Sequence, residues 1–262
     1  MSPLCESFLA ADELDQREVY YPIRVMVCAE CFLVQLKKYV APEHIFSTYA
    51  YFSSYSTSWV AHARDYCDMI ERRLALGPRS FVVELGSNDG YLLQHFLPKG
   101  IPVLGIEPAG NVAAAATEKG IATTVDFFGV RLAESMAPAG HLADLIIGNN
   151  VLAQVPDLND FVAGMRLILA PEGVVTLEFP HLARLMDECQ FDTIYHEHFS
   201  YFSLMAVGRL ARKHALRIID VEELTTHGGS LRVYLAHESS QHTATSAVDA
   251  LLAAEDARGF GH

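Results

Sequence analysis

The sequence predicts an α/β fold of Rossmann type: a mainly parallel seven-stranded sheet with helices between its strands, preceded by a small N-terminal module. Three observations predict it. From Ser80 onward, short β-rich apolar runs alternate with helix-length segments, the pattern of βαβ units. The first of those runs leads into a glycine-containing turn, from Glu84 through Gly86 and Asn88 to Gly90. The chain has 262 residues, 51% of them hydrophobic, enough for one substantial domain with an appendage and too apolar for a disordered protein.

Residues 1–45 read as a loop-like module punctuated by Pro3, Pro22 and Pro42, with one thiol pair, Cys28 and Cys31. Residues 46–78 open on an aromatic and hydroxyl cluster, Tyr49, Tyr51, Phe52, Ser53, Ser54 and Tyr55. They continue as a helix over Ser58–Leu76 that Gly77 and Pro78 end. Tyr51 and Tyr55 read equally well as core aromatics capping that helix. Residues 79–238 form the main domain. Its strands are expected at Phe81–Leu85, Pro102–Ile106, Ile121–Val125, Asp144–Gly148, Gly173–Glu178, Arg217–Val221 and Ser230–Leu235. The last two are close enough to form an antiparallel edge. Helices are expected at Tyr91–Leu97, Asn111–Lys119, Val130–Ala137, Leu158–Leu169 and Ser203–His214. Residues 239–262 read as a helical tail, Ala-rich and amphipathic, with no evident cap.

Charge excludes some functions. Nineteen basic against 32 acidic residues give −13 at pH 7, so a nucleic-acid or anionic-membrane surface is not expected. Apolar runs such as 143–148 fall far short of the ~20 residues of a membrane span. Pro3, Glu6 and Asp12 near Met1 do not resemble a signal region. Five cysteines, an odd number in a chain of this size, point to a reducing cytoplasm.

Strand-end chemistry points to a cofactor. Gly86 and Gly90 lie four apart, and Asn88 stands where a dinucleotide fingerprint has its second glycine, which argues against NAD. Glu84 would oppose a diphosphate but could bond a cationic or amino-bearing ligand. Glu107, followed by Pro108, ends the next strand and is placed to accept from two ribose hydroxyls. At the end of the third strand, Asp126 could accept from an adenine amino group and Phe127 could cover the ring. Three acids at successive strand ends suit S-adenosylmethionine, a nucleoside with a sulfonium and no phosphate. Bare turns and helix caps are the alternative reading.

With these residues in view, the chain resembles class I S-adenosylmethionine-dependent methyltransferases. More narrowly, it resembles the sugar C-methyltransferases that act on nucleotide-linked 4-keto-deoxysugars in antibiotic biosynthesis. The motifs that carry the resemblance are Tyr49 to Ser56, Glu84 to Gly90, Asn149-Asn150, Tyr195 to Phe199, and His227-Gly228-Gly229. The resemblance implies a zinc-binding N-terminal module, a central methyltransferase domain and a second α/β domain, with a methyl group transferred to a sugar carbon, commonly C3. It also implies that Tyr195, Glu197 and His198 form the active-site motif with His198 as base, and that Tyr49 and Tyr51 lie near cofactor and substrate. Three departures stand out. Only Cys28 and Cys31 remain of two cysteine pairs, and the chain stops where the second α/β domain would begin, so it reads as truncated at both ends. Gln154 stands where members often carry a histidine.

Methylation beside a ketone needs a base for the C–H, stabilisation of the enolate and an aligned methyl donor. In Tyr195 to His198, an imidazole can act as base, a carboxylate can orient it, and a phenol can donate to an enolate oxygen. If this stretch is extended, Tyr195 and Glu197 point one way, His196 and His198 the other; the two histidines also read as surface residues or a partial metal site. His227 and Gly228 read as substrate contacts or as a turn, and His181, at a strand's C-terminal end, is a further substrate candidate. Cys28 and Cys31 have metal-pair spacing but supply half of a tetrahedral zinc site. An O- or N-methyltransferase for another small metabolite, or a non-catalytic cofactor-binding fragment, remain alternative functions.

Overall fold

A computed structural model describes residues 1–5, 8–136 and 142–261. Its N-terminal module is built on a short hairpin, β1 (Val25–Val27) and β2 (Val34–Leu36), with Val25 opposite Leu36. A five-residue helix, α1 (Pro42–Phe46), follows, and then the long helix α2 (Thr57–Leu74), whose first turn is capped by the Ser56 hydroxyl on the Trp59 amide. It ends at Ala75, which adopts a left-handed conformation, two residues before Gly77.

The strands that follow are β3 (Val82–Leu85), β4 (Val103–Ile106), β5 (Thr123–Thr124), β6 (Ala143–Asn149), β7 (Leu169–Pro180), β8 (Ser200–Tyr201), β9 (Leu216–Leu224) and β10 (Ser230–His237). Between and after them run α3 (Gly110–Glu118), α4 (Val130–Met136), α5 (Leu158–Ile168), α6 (Leu182–Asp187), α7 (Leu204–Lys213) and α8 (Ser246–Ala257). Among the described residues the main sheet has seven strands in the order β5-β4-β3-β6-β7-β10-β9. The first five are parallel, and β10 runs antiparallel to both its neighbours. Chain order reverses between β3 and β6, so the carboxyl ends of these strands open a crevice where open α/β sheets bind ligands.

Period-two alternation gives the sheet two buried faces. Val82, Leu145, Val174 and Tyr234 pack under α2, and Val83, Ile146, Val175 and Val233 pack with α5 and α7. The N-terminal hairpin does not stand alone, because β2 pairs with β8, placing Val34 opposite Tyr201. That pairing brings the module against the 195–199 turn.

The sequence-based elements differ from this in two notable places. Tyr91–Leu97 is two short 3₁₀ turns, Leu93–His95 and Leu97–Lys99, rather than an α-helix. Pro98 has no N–H for an i−4 bond, and Gly100 takes a left-handed φ of 66° immediately afterwards. The tail does have a cap: Gly259 (φ 83°) bonds back to Asp256, and the Phe260 amide donates to the Glu255 carbonyl, the two bonds of a Schellman motif. The helix expected over 130–137 is α4, with Ala137 outside the described residues, as is His262 of the tail.

Candidate active site

The crevice between β3 and β6 opens into a cavity of about 580 Å³, within the ~300–1,000 Å³ common for small-molecule sites. Its cofactor end is built on the turn after β3. Gly86 takes φ 65°, and a Cβ there would sit 3.0 Å from Val151 Cγ2, so the glycine keeps the floor open. Asn88, where a dinucleotide site has glycine, also adopts a left-handed φ of 49°, which asparagine tolerates. Its side chain straps the aromatic segment over the cavity: Oδ1 accepts from the Ser53 amide (2.9 Å) and Nδ2 donates to the Tyr51 carbonyl (3.0 Å). Asn111 repeats the device, exchanging two hydrogen bonds with the Tyr49 backbone.

Of the predicted cofactor residues, Gly86, Asn88, Glu107, Pro108, Asp126, Phe127 and Asn149 line this cavity. The Glu107 carboxylate accepts from the Asn88 and Ala109 amides (2.9 Å each), which fixes it at the strand end, while burial raises its pKa. Asp126 is already engaged, accepting from the Phe127 amide and from Arg131 (2.7 Å). The side chain of Asn149 is buried, with neither its oxygen nor its nitrogen bonded in the protein, so it is available to a ligand. These groups fit an adenosyl ligand that carries positive charge and no phosphate.

Two expected cofactor contacts lie elsewhere. Gly90 (φ 75°) faces the interior, where a Cβ would fall 2.2 Å from Ile121 Cδ1. Glu84 is fully buried beneath the turn and is not part of the cavity wall. Burial, with Glu107 and Asp89 nearby, pushes its pKa well above the usual carboxylate range.

At the opposite end, Tyr195 and His198 line the cavity as a pair. Residues 195–198 are not extended, so side-chain alternation does not apply: they form a turn closed by the His198 amide on the Tyr195 carbonyl (3.0 Å). Phenol and imidazole therefore meet, with ring centroids 4.3 Å apart. His198 Nδ1–H donates to the Thr193 carbonyl (3.0 Å), since a carbonyl can only accept. Nε2 is thereby left with a lone pair, into which the Tyr195 hydroxyl donates (3.1 Å). Burial lowers the His198 pKa to about 4, so the ring is neutral at pH 7. Both ring nitrogens are taken, so the Thr193 carbonyl, and not Glu197, orients the imidazole. Glu197 instead accepts from the Tyr49 hydroxyl (3.1 Å), tying the 195–198 turn to the aromatic segment. His196 points away, its Nε2 on the Pro22 carbonyl (3.2 Å) and its ring edge-on to Tyr21.

Tyr49, Tyr51, Gln154 and His227 complete the predicted wall. Tyr55 is 81% exposed and stacks on Phe52, outside both core and cavity. His181 was expected near substrate, but it is buried, with Nε2 on Glu255 Oε1 (2.8 Å), and is not a cavity residue. The α8 carboxylate also accepts from the Leu204 and Met205 amides, so His181 belongs to a helix-capping cluster. Gly228 shapes the turn beside His227 without lining the cavity, its carbonyl accepting from Gln190.

The sequence reading missed Trp59, Tyr91 and Lys38, and named Asn150 only within the Asn149-Asn150 motif; all four are on the cavity wall. Trp59 stacks on His62 and meets His227 edge-on, each at 4.9 Å. The only signal for Trp59 was its place one helical turn after the aromatic cluster. Lys38 is the only lysine or arginine among the described lining residues, against Glu43, Glu107, Asp126, Asp157 and Asp160.

Cys28 and Cys31 sit on a tight turn in which the Cys28 carbonyl accepts from the Phe32 amide. Amides of Cys31 and Glu30 lower the Cys28 pKa, whereas burial raises that of Cys31. Among the described residues, no group of three or more Cys, His, Asp or Glu is placed to hold a metal. The thiols present therefore do not complete a structural zinc site. Among those residues, no helix is long and apolar enough to cross a membrane.

Three family models match the chain in succession: "Putative zinc binding domain" over residues 1–46, "Methyltransferase domain" over 59–221 and "C-methyltransferase C-terminal domain" over 225–262. The chain is 36% identical over 259 residues to C-methyltransferase NovU of Streptomyces niveus. The match takes in 99% of this chain and 62% of that relative, so the chain spans under two thirds of the relative's length. Its fold is similar to that of the PH0226 protein from Pyrococcus horikoshii (TM-score 0.57, 13% identity, 74% of this chain and 97% of that one). It is also similar to magnesium protoporphyrin IX methyltransferase from Synechocystis, solved with bound SAH (TM-score 0.51, 13% identity, 68% and 84%).

Proposed function

The chain belongs to the methyltransferase family, and from that premise we propose that it moves a methyl group from S-adenosylmethionine to a carbon beside a ketone. The acceptor in this reading is a nucleotide-linked 4-keto-deoxysugar, methylated at C3. The observation that carries it is the neutral His198–Tyr195 pair at one end of a cavity whose other end is the Gly86–Glu107 strand terminus. A neutral imidazole with a lone pair on Nε2 supplies the base that removal of a weakly acidic C–H requires.

The cofactor supplies, when bound, a sulfonium-activated methyl whose transfer leaves a neutral thioether. Glu107 holds the ribose, and Asn149, Asp126 and Phe127 hold the remainder of the nucleoside. His198 removes the α-proton at Nε2 once the Tyr195 hydroxyl turns aside, and the C–H electron pair moves into the enolate. The low pKa of His198 keeps Nε2 unprotonated at neutral pH, at the expense of driving force for the transfer. Lys38, on a wall otherwise acidic, is the cation placed for a sugar-nucleotide diphosphate. In the same reading the division into 1–45, 46–78, 79–238 and 239–262 is functional, with the first two segments closing over the substrate.

Incubation with S-adenosylmethionine and a panel of nucleotide-linked 4-keto sugars, read by mass spectrometry, tests this directly. One added methyl on a ketone-bearing sugar supports it, and methylation confined to hydroxyl or amine acceptors refutes it. With S-adenosylhomocysteine bound, the unmodified protein should exchange the sugar's α-hydrogen for deuterium. His198→Asn should slow that exchange by about 10²- to 10⁴-fold.

A further inference from the structure

An enolate needs a donor as well as a base, and in the resting site the phenol nearest the base, Tyr195, donates to His198 Nε2. The cavity contains a second imidazole, His227, on a different element. The amide nitrogen of Asn150 lies 3.4 Å from His227 Nδ1. An NH₂ group has no lone pair to offer, so Nδ1 is the acceptor and the ring proton of the neutral imidazole is on Nε2. No hydrogen bond among the described residues reaches that Nε2. With the Asn150 amide in this orientation the two imidazoles of the cavity carry opposite tautomers, one presenting a lone pair and the other an N–H.

The surroundings hold this arrangement. His227 adopts a left-handed φ of 49° in a turn closed by the Gly229 amide on the Thr226 carbonyl (2.9 Å). Ser230 Oγ donates to that same carbonyl, and Gln190 to the carbonyl of Gly228. Beneath the turn, Thr226 Oγ1 donates to Glu178 (2.9 Å), a fully buried carboxylate that also accepts from His62 and Arg232. The edge-on contact with Trp59 restricts ring rotation. Desolvation by these walls lowers the His227 pKa, so the ring is neutral near pH 7. His227 also lies close enough to His198 to depress its pKa.

Resting on the ketone reading above, we propose that His227 is the neutral electrophile of the reaction, its Nε2–H donating to the C4 oxygen as the enolate forms. The C3–H bond breaks with its proton passing to His198 Nε2. The electron pair forms C3=C4, and the carbonyl π pair moves onto the oxygen facing His227. In the second step that pair returns to the carbonyl, the C3=C4 pair takes the methyl carbon, and the S–CH₃ electrons stay on sulfur. His227 keeps its proton throughout, and His198 gives up its extra one to solvent. Neutral imidazoles are suited to such donation because the proton is not lost in the ground state.

The test has two independent readouts. In ¹⁵N-histidine spectra of the unmodified protein, His227 should show the Nε2–H tautomer, and an Nδ1–H tautomer overturns the proposal whatever the activity. In α-hydrogen exchange with S-adenosylhomocysteine bound, His227→Ala should lower the rate by about 10²- to 10³-fold, the usual loss for one oxyanion donor. His227→Gln, whose amide N–H reaches the Nε2 position, should restore at least tenfold of that, with cofactor affinity unchanged in both variants. Exchange by a folded His227→Ala variant within threefold of the unmodified rate overturns the role of His227 alone. Absence of exchange in the unmodified protein overturns the ketone reading and this assignment with it. Should His227→Ala not fold, the tautomer decides.

Discussion

Acidification should cost this protein stability through His198. Folding lowers its pKa from 6.5 to about 4 by burying the ring, and such a shift corresponds to about 3 kcal/mol of preference for the neutral form. The sign follows from proton counting. Between pH 6.5 and 4 the unfolded chain binds a proton at residue 198 that the folded chain refuses. The contribution is therefore fully present above pH 6.5 and is lost as pH falls toward 4. His198→Asn removes the titration while leaving an N–H within reach of the Thr193 carbonyl. His95, His214 and His227 also have lowered pKa values, but both proteins carry them and their effects largely cancel in the difference. Denaturant unfolding of the two proteins at intervals from pH 7.5 to 4.5 should show the unmodified protein's advantage shrinking by about 2–3 kcal/mol. Parallel stability curves would refute the burial argument. The same pKa puts the acid limb of the exchange rate near pH 4, well below the pH 6.5 of an exposed histidine.

Glu107→Gln should weaken S-adenosylmethionine binding about tenfold by calorimetry, and unchanged affinity would remove Glu107 from the site. Glu255→Ala leaves His181 and two α7 amides without their buried acceptor. It should cost about 3–5 kcal/mol, seen as a fall in Tm of roughly 10 °C, and a loss below about 1 kcal/mol would contradict the capping role. Elemental analysis should find well under one zinc per chain. A full zinc that Cys28→Ser abolishes would establish a second ligand pair.

Much of the fold was legible because the sheet strands are apolar runs bounded by glycine and helix signals. Residues 82–85 and 143–149 needed only periodicity to be placed. Pro98 is a visible signal against a helix over 91–97, a segment whose Leu92, Leu93 and Phe96 are buried without one. The site was legible at strand ends, where topology fixes position, and less so elsewhere. His181 occupies such an end, yet its direction depends on Glu255, 74 residues later. The pairing of Tyr195 with His198 depends on a turn that period-two reasoning cannot foresee. Trp59 reaches the cavity only because α2 crosses β7 and β10, bringing His62 onto Glu178. Such long-range contacts leave no local pattern in the sequence.

The acids under the cofactor turn lead to one more consequence. Glu84 is held well above its ordinary pKa by burial and by Glu107 and Asp89, and burial also raises Glu107. A ligand bringing positive charge to this strand end favours their ionised forms, so binding should expel protons wherever they titrate. The pH range below the ~7.7–8.0 at which an α-amino group titrates isolates that effect from the ligand's own amine. Affinity for S-adenosylmethionine should therefore rise with pH between 5 and 7. Calorimetry in buffers of different ionisation enthalpy should report proton release in the same range. Glu84→Gln should remove most of that release, since the residue closest to neutralisation is then uncharged in both states. Proton uptake on binding, or an affinity that falls across this range, would mean that the buried carboxylates do not sense the ligand's charge. The acid-rich strand end would then be a feature of the fold and not of cofactor choice.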